Sequence, residues 1–443
     1  MGGIILMANN NDHYDPHTES KLLLNGKQPC WLNEDLCFIQ DTVDQHSGHS
    51  PLSERLQEVL KKRLSTTVIP TPDAERRRMT VQNCCDRQVR GIPLSRSSIR
   101  DSQKEWREEA QSFKHAITNG LINKQGEFNS ELLAKLIAKR GELLWPVDET
   151  GAPKTDRATL EQLESELSNT LLRLKNLYRD LGIMKISTDN DGRYRYWANP
   201  FGTKTGRECP KGPALNYWPK GFRDLITPDT GQAVATIDFV SQEPAILAAF
   251  ADDEQLIAAY ENGDLYQYVQ ELGAWGKLSR KQIKRLVISF IYGADQFSIR
   301  KQFEVSALTA ELWYSDLRRI FTKLTTWMDR NAYDAYSKGH IKSLDWGMAV
   351  HKSTPIKSIK NWPIQAAGAD ILRRTCLQLA GANIDVVGAL HDSVLIEVPL
   401  VNHKTSIATA QQIMQRASAS VLDGIPLRTT VEQIYLPENY SKI

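Results

Sequence analysis

The chain lacks the features that would place it in a membrane or an oxidising compartment. No apolar stretch approaches the ~18 consecutive residues that a membrane-spanning helix requires. The opening MGGIILMA has a short apolar run but no basic segment before it, so it does not resemble a secretory signal. The six cysteines show no CxxC spacing, which argues against a zinc site or a disulfide framework. These absences predict a protein of the reducing cytoplasm.

An excess of charge of one sign is also missing. The formal net charge is +2, and the hydrophobic and charged fractions, 41% and 24%, are those of an ordinary globular protein. The cations are nevertheless concentrated in one segment, where Asp295 is the single acid. Such a run is either a solvated helix face or a surface that binds phosphates. Its members are Lys277, Arg280, Lys281, Lys284, Arg285, Arg300 and Lys301.

The length predicts about two to four domains or one multi-lobed enzyme. Residues 1–75 are polar and poor in periodic runs, so we expect an N-terminal extension or linker, partly disordered. Residues 76–190 carry helical periodicity, with long amphipathic helices expected over 130–145 and 159–181. No internal repeat appears at a fixed period.

The second half alternates strand and helix patterns. QAVATIDF, residues 232–239, alternates apolar residues as a strand does, and SQEPAILAAF then opens a helix that Ser241 could cap. The chain is mostly helical from there to about residue 345, and mixed strand and helix patterns return in the last hundred residues. This order predicts an α+β fold with a helical lobe inserted between strand segments.

Two carboxylates stand at strand ends far apart in the sequence. GALHDSVLIEVP, residues 388–399, predicts a β-hairpin with Asp392 at its turn, while Asp238 ends the earlier strand. If the strands are neighbours, the carboxylates converge, and they then repel unless they share a proton or bind a metal. Oxygen ligands suit Mg²⁺, and a pair of ions would suit in-line attack at phosphorus. The alternative is that Asp and Ser are ordinary turn formers.

A helix pattern in SRKQIKRLVISFIYGAD supplies a second candidate site. Arg280, Lys284, Ile288 and Tyr292 follow at four-residue steps and form a stripe about 18 Å long, and Gly293 is a natural stop. The stripe is cationic at one end and aromatic at the other, which matches the phosphates and base of a nucleoside triphosphate. The alternative is an amphipathic helix that buries Ile288 and Tyr292 and leaves Arg280 and Lys284 in solvent.

DFVSQEPAIL, RKQIKRLVISFIYG and LHDSVLIEV resemble, in order and spacing, the three polymerase motifs of family A DNA polymerases, the bacterial DNA polymerase I type. The likeness is strongest to the phage-encoded branch and covers roughly residues 80–443, including FGTKTGR, FRDLITPDTGQAVATIDF, NGDLYQYV, KSIKNWPIQAAGADILRR and VRGIPLSRSSI. It implies a right-hand fold with an antiparallel palm sheet, helical fingers and a helical thumb. The expected ranges are 1–75 for the extension, 76–200 for the thumb and start of the palm, 201–251 for the palm with motif A, 252–345 for the fingers, and 346–443 for the palm with motif C.

The resemblance also implies the role of each matching residue. Asp238 and Asp392 would bind two Mg²⁺ ions, for which Mn²⁺ can substitute, and the Phe239 carbonyl would be a further ligand. Lys284 would also protonate the pyrophosphate leaving group, and Glu243 would exclude a ribose 2′-hydroxyl. The implied dNTP contacts are Arg280, Lys284, Ile288, Tyr292, Glu243 and Phe239, and the implied DNA contacts are Arg207, Asn361, Gln365, His391, Lys357 and Arg223.

The implied activity is template-directed DNA synthesis on a primed DNA template with dNTPs, by a protein expected to be a monomer in a bacterial or phage-infected cell. Ile288 departs from the usual Phe or Tyr, Ser393 from the usual Glu, and Lys357 from the usual Arg. These departures bear on sugar selectivity and on primer contacts. The extension is expected either to recruit a replication or exonuclease partner or to do nothing beyond solvation.

We expect no 3′–5′ proofreading exonuclease in this chain. About 75 residues before the polymerase-like region are too few for such a domain. The only early DxE, Asp73-Ala74-Glu75, lies in a polar, proline-flanked stretch without an apolar strand around it.

Two other interpretations remain open. A single-subunit RNA polymerase shares the right hand and the HDS turn, but it generally has a small residue where Glu243 stands, and the span from Tyr292 to Asn361 is short for a promoter-reading insertion. A catalytically inactive DNA-binding scaffold would need only basic residues. Retention of both Asp238 and Asp392 with the cationic helix therefore argues against it.

Overall fold

The computed structural model describes residues 72–437, apart from 117–119, 124–126, 143, 164, 184–185, 187 and 212–219. The predicted extension, residues 1–75, thus lies outside the described residues except for its end, which begins a helix at Pro72. Among the described helices, none is both long and apolar enough to cross a bilayer.

Helices and strands alternate along the chain as follows. The helices are α1 Pro72–Arg90, α2 Arg96–Ala116, α3 Ser130–Arg140, α4 Arg157–Leu163, α5 Glu166–Ile183, α6 Lys220–Arg223, α7 Gln242–Phe250, α8 Glu254–Asn262, α9 Leu265–Leu272, α10 Arg280–Ile291, α11 Gln296–Phe303, α12 Ala307–Ile320, α13 Thr322–Lys338, α14 Ile356–Gly381 and α15 His403–Ala419. The strands are β1 Ile92–Pro93, β2 Arg193–Tyr194, β3 Trp197–Asn199, β4 Cys209–Lys211, β5 Gln232–Phe239, β6 His340–Lys342, β7 Gly347–Ala349, β8 Asp385–Leu390, β9 Ser393–Pro399 and β10 Thr429–Tyr435.

Contacts divide the chain into two compact units. The first consists of the described parts of Met1–Gly91, Arg195–Lys211 and Pro228–Ile443, and the second of those of Ile92–Tyr194 and Gly212–Thr227. The first unit therefore contains both candidate carboxylates and the cationic helix.

The first unit is built on an antiparallel sheet with strand order β10-β5-β9-β8. β5 pairs with β10 on one side and β9 on the other, with Asp238 opposite Ser393 and Ile237 opposite Val394. Interior residues of β5 and β9 are buried on both faces, which explains their continuous apolar character. α14 and α15 pack together beside this sheet, so the strand ends are held by a helical layer.

α14 is the longest described helix and is buried over much of its length. It contacts α1, α7, α13 and α15 as well as β8, which makes it the element that connects the helices to the sheet. Pro363 lies inside it, beside the fully buried Trp362.

The second unit corrects one predicted element. The helix expected over 159–181 is two helices, α4 and α5, that meet around Ser165. The Ser165 hydroxyl accepts a hydrogen bond from the Ser168 amide at 3.0 Å, as an N-terminal cap does. Leu160 and Leu171 remain in one apolar cluster with α3, so the periodicity predicted the buried face although it did not reveal the break.

Ser241 does not cap α7 as predicted. It adopts a left-handed backbone conformation with φ 49°, and its side chain makes no capping hydrogen bond. The hydroxyl bonds instead to Tyr266. A neighbour brought in by the fold therefore outcompetes the local amides, an outcome that the sequence pattern cannot reveal.

Thr236→Val is expected to stabilise the first unit. Thr236 lies in the central strand with 1% exposure, and its hydroxyl has no hydrogen-bond partner among the residues that the structure describes. Valine has nearly the same shape without the unpaired polar atom, so we expect the free energy of unfolding to rise by about 1–2 kcal/mol in urea titrations.

Thr80→Val is the matched control. Thr80 is also buried, but its hydroxyl donates to the Arg76 carbonyl at 2.8 Å. This substitution should lower the free energy of unfolding by about 1 kcal/mol. A change of the same sign in both variants would contradict the explanation.

Candidate active site

The predicted hairpin is confirmed and carries Asp392 at a two-residue turn between β8 and β9. His391 adopts φ 41°, a conformation that L-residues rarely take. The Asp392 carbonyl accepts a hydrogen bond from the Phe239 amide at 3.0 Å, which ties the turn to the end of β5. The turn therefore lies beside Asp238, as expected if the strands are neighbours.

The two carboxyl groups are half-buried and hydrogen-bonded to each other. Burial, the Asp392 charge and the Glu432 charge together raise the pKa of Asp238 to about 8. Burial also raises the pKa of Asp392, although the positive charge of His391 opposes the shift. The pair therefore shares a proton when no cation is bound.

The donor set fits a hard divalent cation. Asp238 Oδ1 is buried and accepts no hydrogen bond from any residue that the structure describes, so it is an oxygen in need of a partner. Across the described ranges, no set of three or more His, Cys, Asp or Glu residues could hold a metal ion. Mg²⁺ is usually held by one or two protein carboxylates, with water and substrate phosphates completing its shell, so two suffice.

The cationic helix α10 starts at a capping box formed by Ser279 and Gln282. Its apolar face is buried, with Ile283, Leu286, Val287, Phe290 and Ile291 turned inward. Arg280 and Lys284 are exposed and lie 5.6 and 5.7 Å from the centre of the Tyr266 ring. The other face is thus available to a ligand.

The apolar end of the stripe is not in the core. Ile288 is only partly buried, and Tyr292, which follows the last turn of α10, is 37% exposed. The interpretation in which the helix buries both residues therefore does not describe this helix. Gly293 follows with φ 83°, so it ends the helix as the sequence indicated.

A chain of hydrogen bonds connects four side chains that the sequence suggested separately. Arg207 Nη2 donates to Glu243 Oε1 at 3.0 Å, and the Tyr292 hydroxyl donates to the same oxygen at 2.7 Å. Gln365 Nε2 donates to the Tyr292 hydroxyl at 3.3 Å. Burial and Glu243 raise the pKa of Tyr292 to about 12, so its hydroxyl stays protonated and can donate.

The sequence profile of DNA polymerase family A matches residues 96–433. The chain belongs to DNA polymerase family A. This confirms the predicted family, and the predicted α+β right-hand fold is confirmed by a solved structure. That structure is the POL domain of Pol1 from M. smegmatis in complex with DNA primer-template and dNTP, which superposes with a TM-score of 0.71 at 18% identity and covers 93% of this chain and 80% of the other.

Curated relatives agree with this membership. The DNA polymerase of Mycobacterium phage L5 is 24% identical over 316 residues, which cover 67% of this chain and 51% of the relative. The DNA polymerase I of Aquifex aeolicus is 22% identical over 399 residues, 85% of this chain and 69% of the relative. The chain thus spans about half the length of the phage relative. That a phage polymerase is among the relatives agrees with the predicted likeness to the phage-encoded branch.

Three further residues that the sequence suggested as DNA contacts have the following surroundings. Asn361 is buried at the start of α14, and its Oδ1 has no hydrogen-bond partner within the described part of the chain. Lys357 is exposed, and its side chain lies against Gly293. Arg223 ends α6 in the second unit and is described only with that unit.

Sequence reasoning missed two acids near the site. Glu432 lies at a register shift in β10 between Val431 and Gln433, and its charge acts on Asp238. Asp264 forms an ion pair with Arg280. The stretch NGDLYQYV signalled the second acid by its likeness to the family, whereas no sequence pattern signals the first.

Asp238→Asn is expected to remove a pH dependence of stability. The pKa of Asp238 is about 8 in the folded chain and about 4 when unfolded. The native state then binds the proton more tightly, so stability is fully present below pH 4 and is lost as the pH rises through 8. In EDTA, the variant should therefore unfold at a higher temperature than the wild type at pH 8–9, and the two should converge as the pH falls to about 4.

Asp385→Asn serves as the control for this measurement. It removes an exposed carboxylate at the start of β8 in the same sheet, 52% exposed and away from the pair. Parallel pH profiles for the wild type and Asp238→Asn would contradict the shared-proton interpretation.

Proposed function

We propose that this chain is a DNA-directed DNA polymerase that adds dNTPs to a primer 3′-hydroxyl and lacks intrinsic 3′–5′ proofreading. The observation that carries the proposal is the pair of half-buried carboxyls, Asp238 and Asp392, in the same unit as the exposed cationic stripe of α10. The solved M. smegmatis structure, a complex with DNA primer-template and dNTP, supports the choice of substrates.

Each part of the site has a role in this proposal. Asp238 and Asp392 hold two Mg²⁺ ions, for which Mn²⁺ can substitute, and the Phe239 carbonyl is a further ligand. The bound ions supply electrostatic stabilisation of the entering and leaving oxygens of an in-line displacement. Arg280 and Lys284 neutralise the triphosphate, and Lys284 donates a proton to the departing pyrophosphate.

Side chains around the nascent pair would select the substrate. Ile288 and Tyr292 face the sugar and base, and Glu243 occupies the space of a ribose 2′-hydroxyl. Arg207, Asn361, Gln365, His391, Lys357 and Arg223 contact the DNA. Minor-groove acceptors are shared by all correct base pairs, so donors there can test pairing without reading sequence.

The absence of proofreading and the quaternary state belong to the same proposal. Asp73 and Glu75 lie at the start of the helix α1, which supports their exclusion from an exonuclease site, where such acids stand on a strand. We propose a monomer in which residues 1–75 form an extension, 76–200 the thumb and the start of the palm, 252–345 the fingers, and the remaining ranges the palm. The extension is a candidate for contacts with a replication or exonuclease partner.

Asp392→Asn is expected to abolish primer extension. Loss of one charged oxygen ligand removes stabilisation of the charge that develops in the transition state, so extension on a primed template with Mg²⁺ should fall by about 10²–10³-fold or more. Asp385→Asn, at the other end of β8, should extend normally. Undiminished synthesis by Asp392→Asn would rule out this metal site, and DNA binding without synthesis by the wild type would favour the scaffold.

Glu243→Ala is expected to weaken discrimination between dNTPs and rNTPs. The side chain is held by Arg207 and Tyr292, so its removal opens space for a 2′-hydroxyl. The ratio of kcat/KM for dNTPs to that for rNTPs should fall by about 10- to 100-fold.

Glu243→Gln keeps the volume and separates exclusion by size from exclusion by charge. It should retain most of the selectivity. Unchanged selectivity in Glu243→Ala would overturn the assignment of this residue, and equal use of rNTPs by the wild type would favour the RNA polymerase alternative.

A further inference from the structure

The residues on either side of Arg207 are bonded to buried arginines from two different helices. Arg373 of α14 donates through Nη1 to the Gly206 carbonyl at 2.5 Å. Arg87 of α1 donates through Nη2 to the Glu208 carboxylate, also at 2.5 Å. The side chains of Arg373 and Arg87 are 7% and 6% exposed. Arg207 is therefore bracketed by two guanidinium groups fixed inside the first unit.

The Arg373 guanidinium is itself held from several sides. It forms an ion pair with the fully buried Asp370 one turn away on α14, and its Nε lies 3.6 Å from Asp345 Oδ2. Its centre lies 5.0 Å from that of the Phe201 ring. Asp370 also accepts a hydrogen bond from the Leu344 amide at 3.0 Å. The orientation of Arg373 is thus set by the α14 backbone and the β6–β7 connection.

The loop before Arg207 is fixed at further points. The Trp362 indole N–H donates to the Lys204 carbonyl at 2.8 Å, and the Arg207 amide donates to Thr203 Oγ1 at 2.9 Å. Gly206 has φ 70°, and a Cβ there would lie 2.9 Å from the Trp346 side chain. Only glycine therefore allows this backbone path beneath Trp346.

Buried ion pairs seldom stabilise a fold more than apolar residues of the same size would. Two apolar side chains of similar size could thus fill the space that Arg373 and Asp370 occupy. They could not donate a hydrogen bond to the Gly206 carbonyl. What the charges add is a directed hydrogen bond to the backbone next to Arg207. Arg207 in turn holds Glu243.

We propose that Arg373, supported by Arg87 and Trp362, is a positioning residue that fixes the Arg207 guanidinium between Glu243 and the primer terminus. This inference rests on the proposed polymerase function, in which Arg207 tests the terminal base pair. If the loop that carries Arg207 were displaced, the fold and the carboxylate pair would remain intact. Arg207 would then distinguish correct from incorrect terminal base pairs less well. Extension from matched primer ends would then lose its advantage over extension from mismatched ends.

The test compares Arg373→Lys and Trp362→Phe, each alone and combined with Arg207→Ala. Lysine keeps the charge but cannot bond Asp370 and the Gly206 carbonyl in the same fork geometry. Phenylalanine removes the donor to Lys204 together with part of a buried ring, but it leaves both buried ion pairs. The measurements are kcat/KM for primers with matched and mismatched 3′ ends, and thermal unfolding.

We expect each single substitution to lower kcat/KM for matched ends by about tenfold and to reduce the matched-to-mismatched ratio. In the Arg207→Ala background, neither substitution should lower kcat/KM or the matched-to-mismatched ratio further, because the Arg207 guanidinium that Arg373 and Trp362 position is absent. Arg374→Lys is the control: it changes the next residue of α14, whose guanidinium bonds Ser420 Oγ at 3.1 Å. It should leave the ratio unchanged.

Equal losses in both backgrounds would overturn the positioning role and leave Arg373 a purely structural residue. If Arg373→Lys does not fold, Trp362→Phe decides by itself, since it retains the charge network. Absence of primer extension by the wild type would overturn the proposed function together with this inference, whereas additive losses in an active enzyme would overturn the inference alone.

Discussion

The antiparallel pairing of β5 with β9 is the constraint on which the candidate site depends. Its register sets Asp238 opposite Ser393, so the turn residue Asp392 falls beside the end of β5. A slip of one residue would exchange the two faces of a strand, so each buried side chain would lose the neighbours against which it packs. The hydrogen bond from the Phe239 amide to the Asp392 carbonyl fixes the same alignment from the backbone. The packing of the apolar core thus determines how close the carboxylates of Asp238 and Asp392 lie, although both stand at strand ends.

That alignment is electrostatically unfavourable by itself. Two half-buried carboxyls close enough to share a proton repel when both ionise, and the charge of Glu432 adds to the repulsion. The raised pKa of Asp238 is the measurable sign of this conflict. The repulsion between Asp238 and Asp392 lowers the stability of the fold, and a bound cation would relieve it. Affinity for a cation is therefore gained at the expense of stability.

Features that depend on neighbours in the sequence could be predicted from it. Features that depend on residues brought together by the fold could not. The 388–399 hairpin and the exposed stripe on α10 follow from strand and helix periodicity, and the family motifs placed both. The break near Ser165 depends on a cap, and the hydroxyl of Ser241 on a tertiary neighbour, Tyr266. Arg373 could not be singled out at all, because in a sequence a buried arginine looks like a solvated one.

The cations of the first unit therefore divide into two groups that composition cannot separate. Arg280 and Lys284 are exposed on a helix face that a phosphate can reach, although Arg280 is also paired with Asp264. Arg87 and Arg373 are buried, and their charge is already matched by Glu208 and Asp370. A matched buried charge attracts little from outside, so its contribution must lie in geometry rather than in field strength.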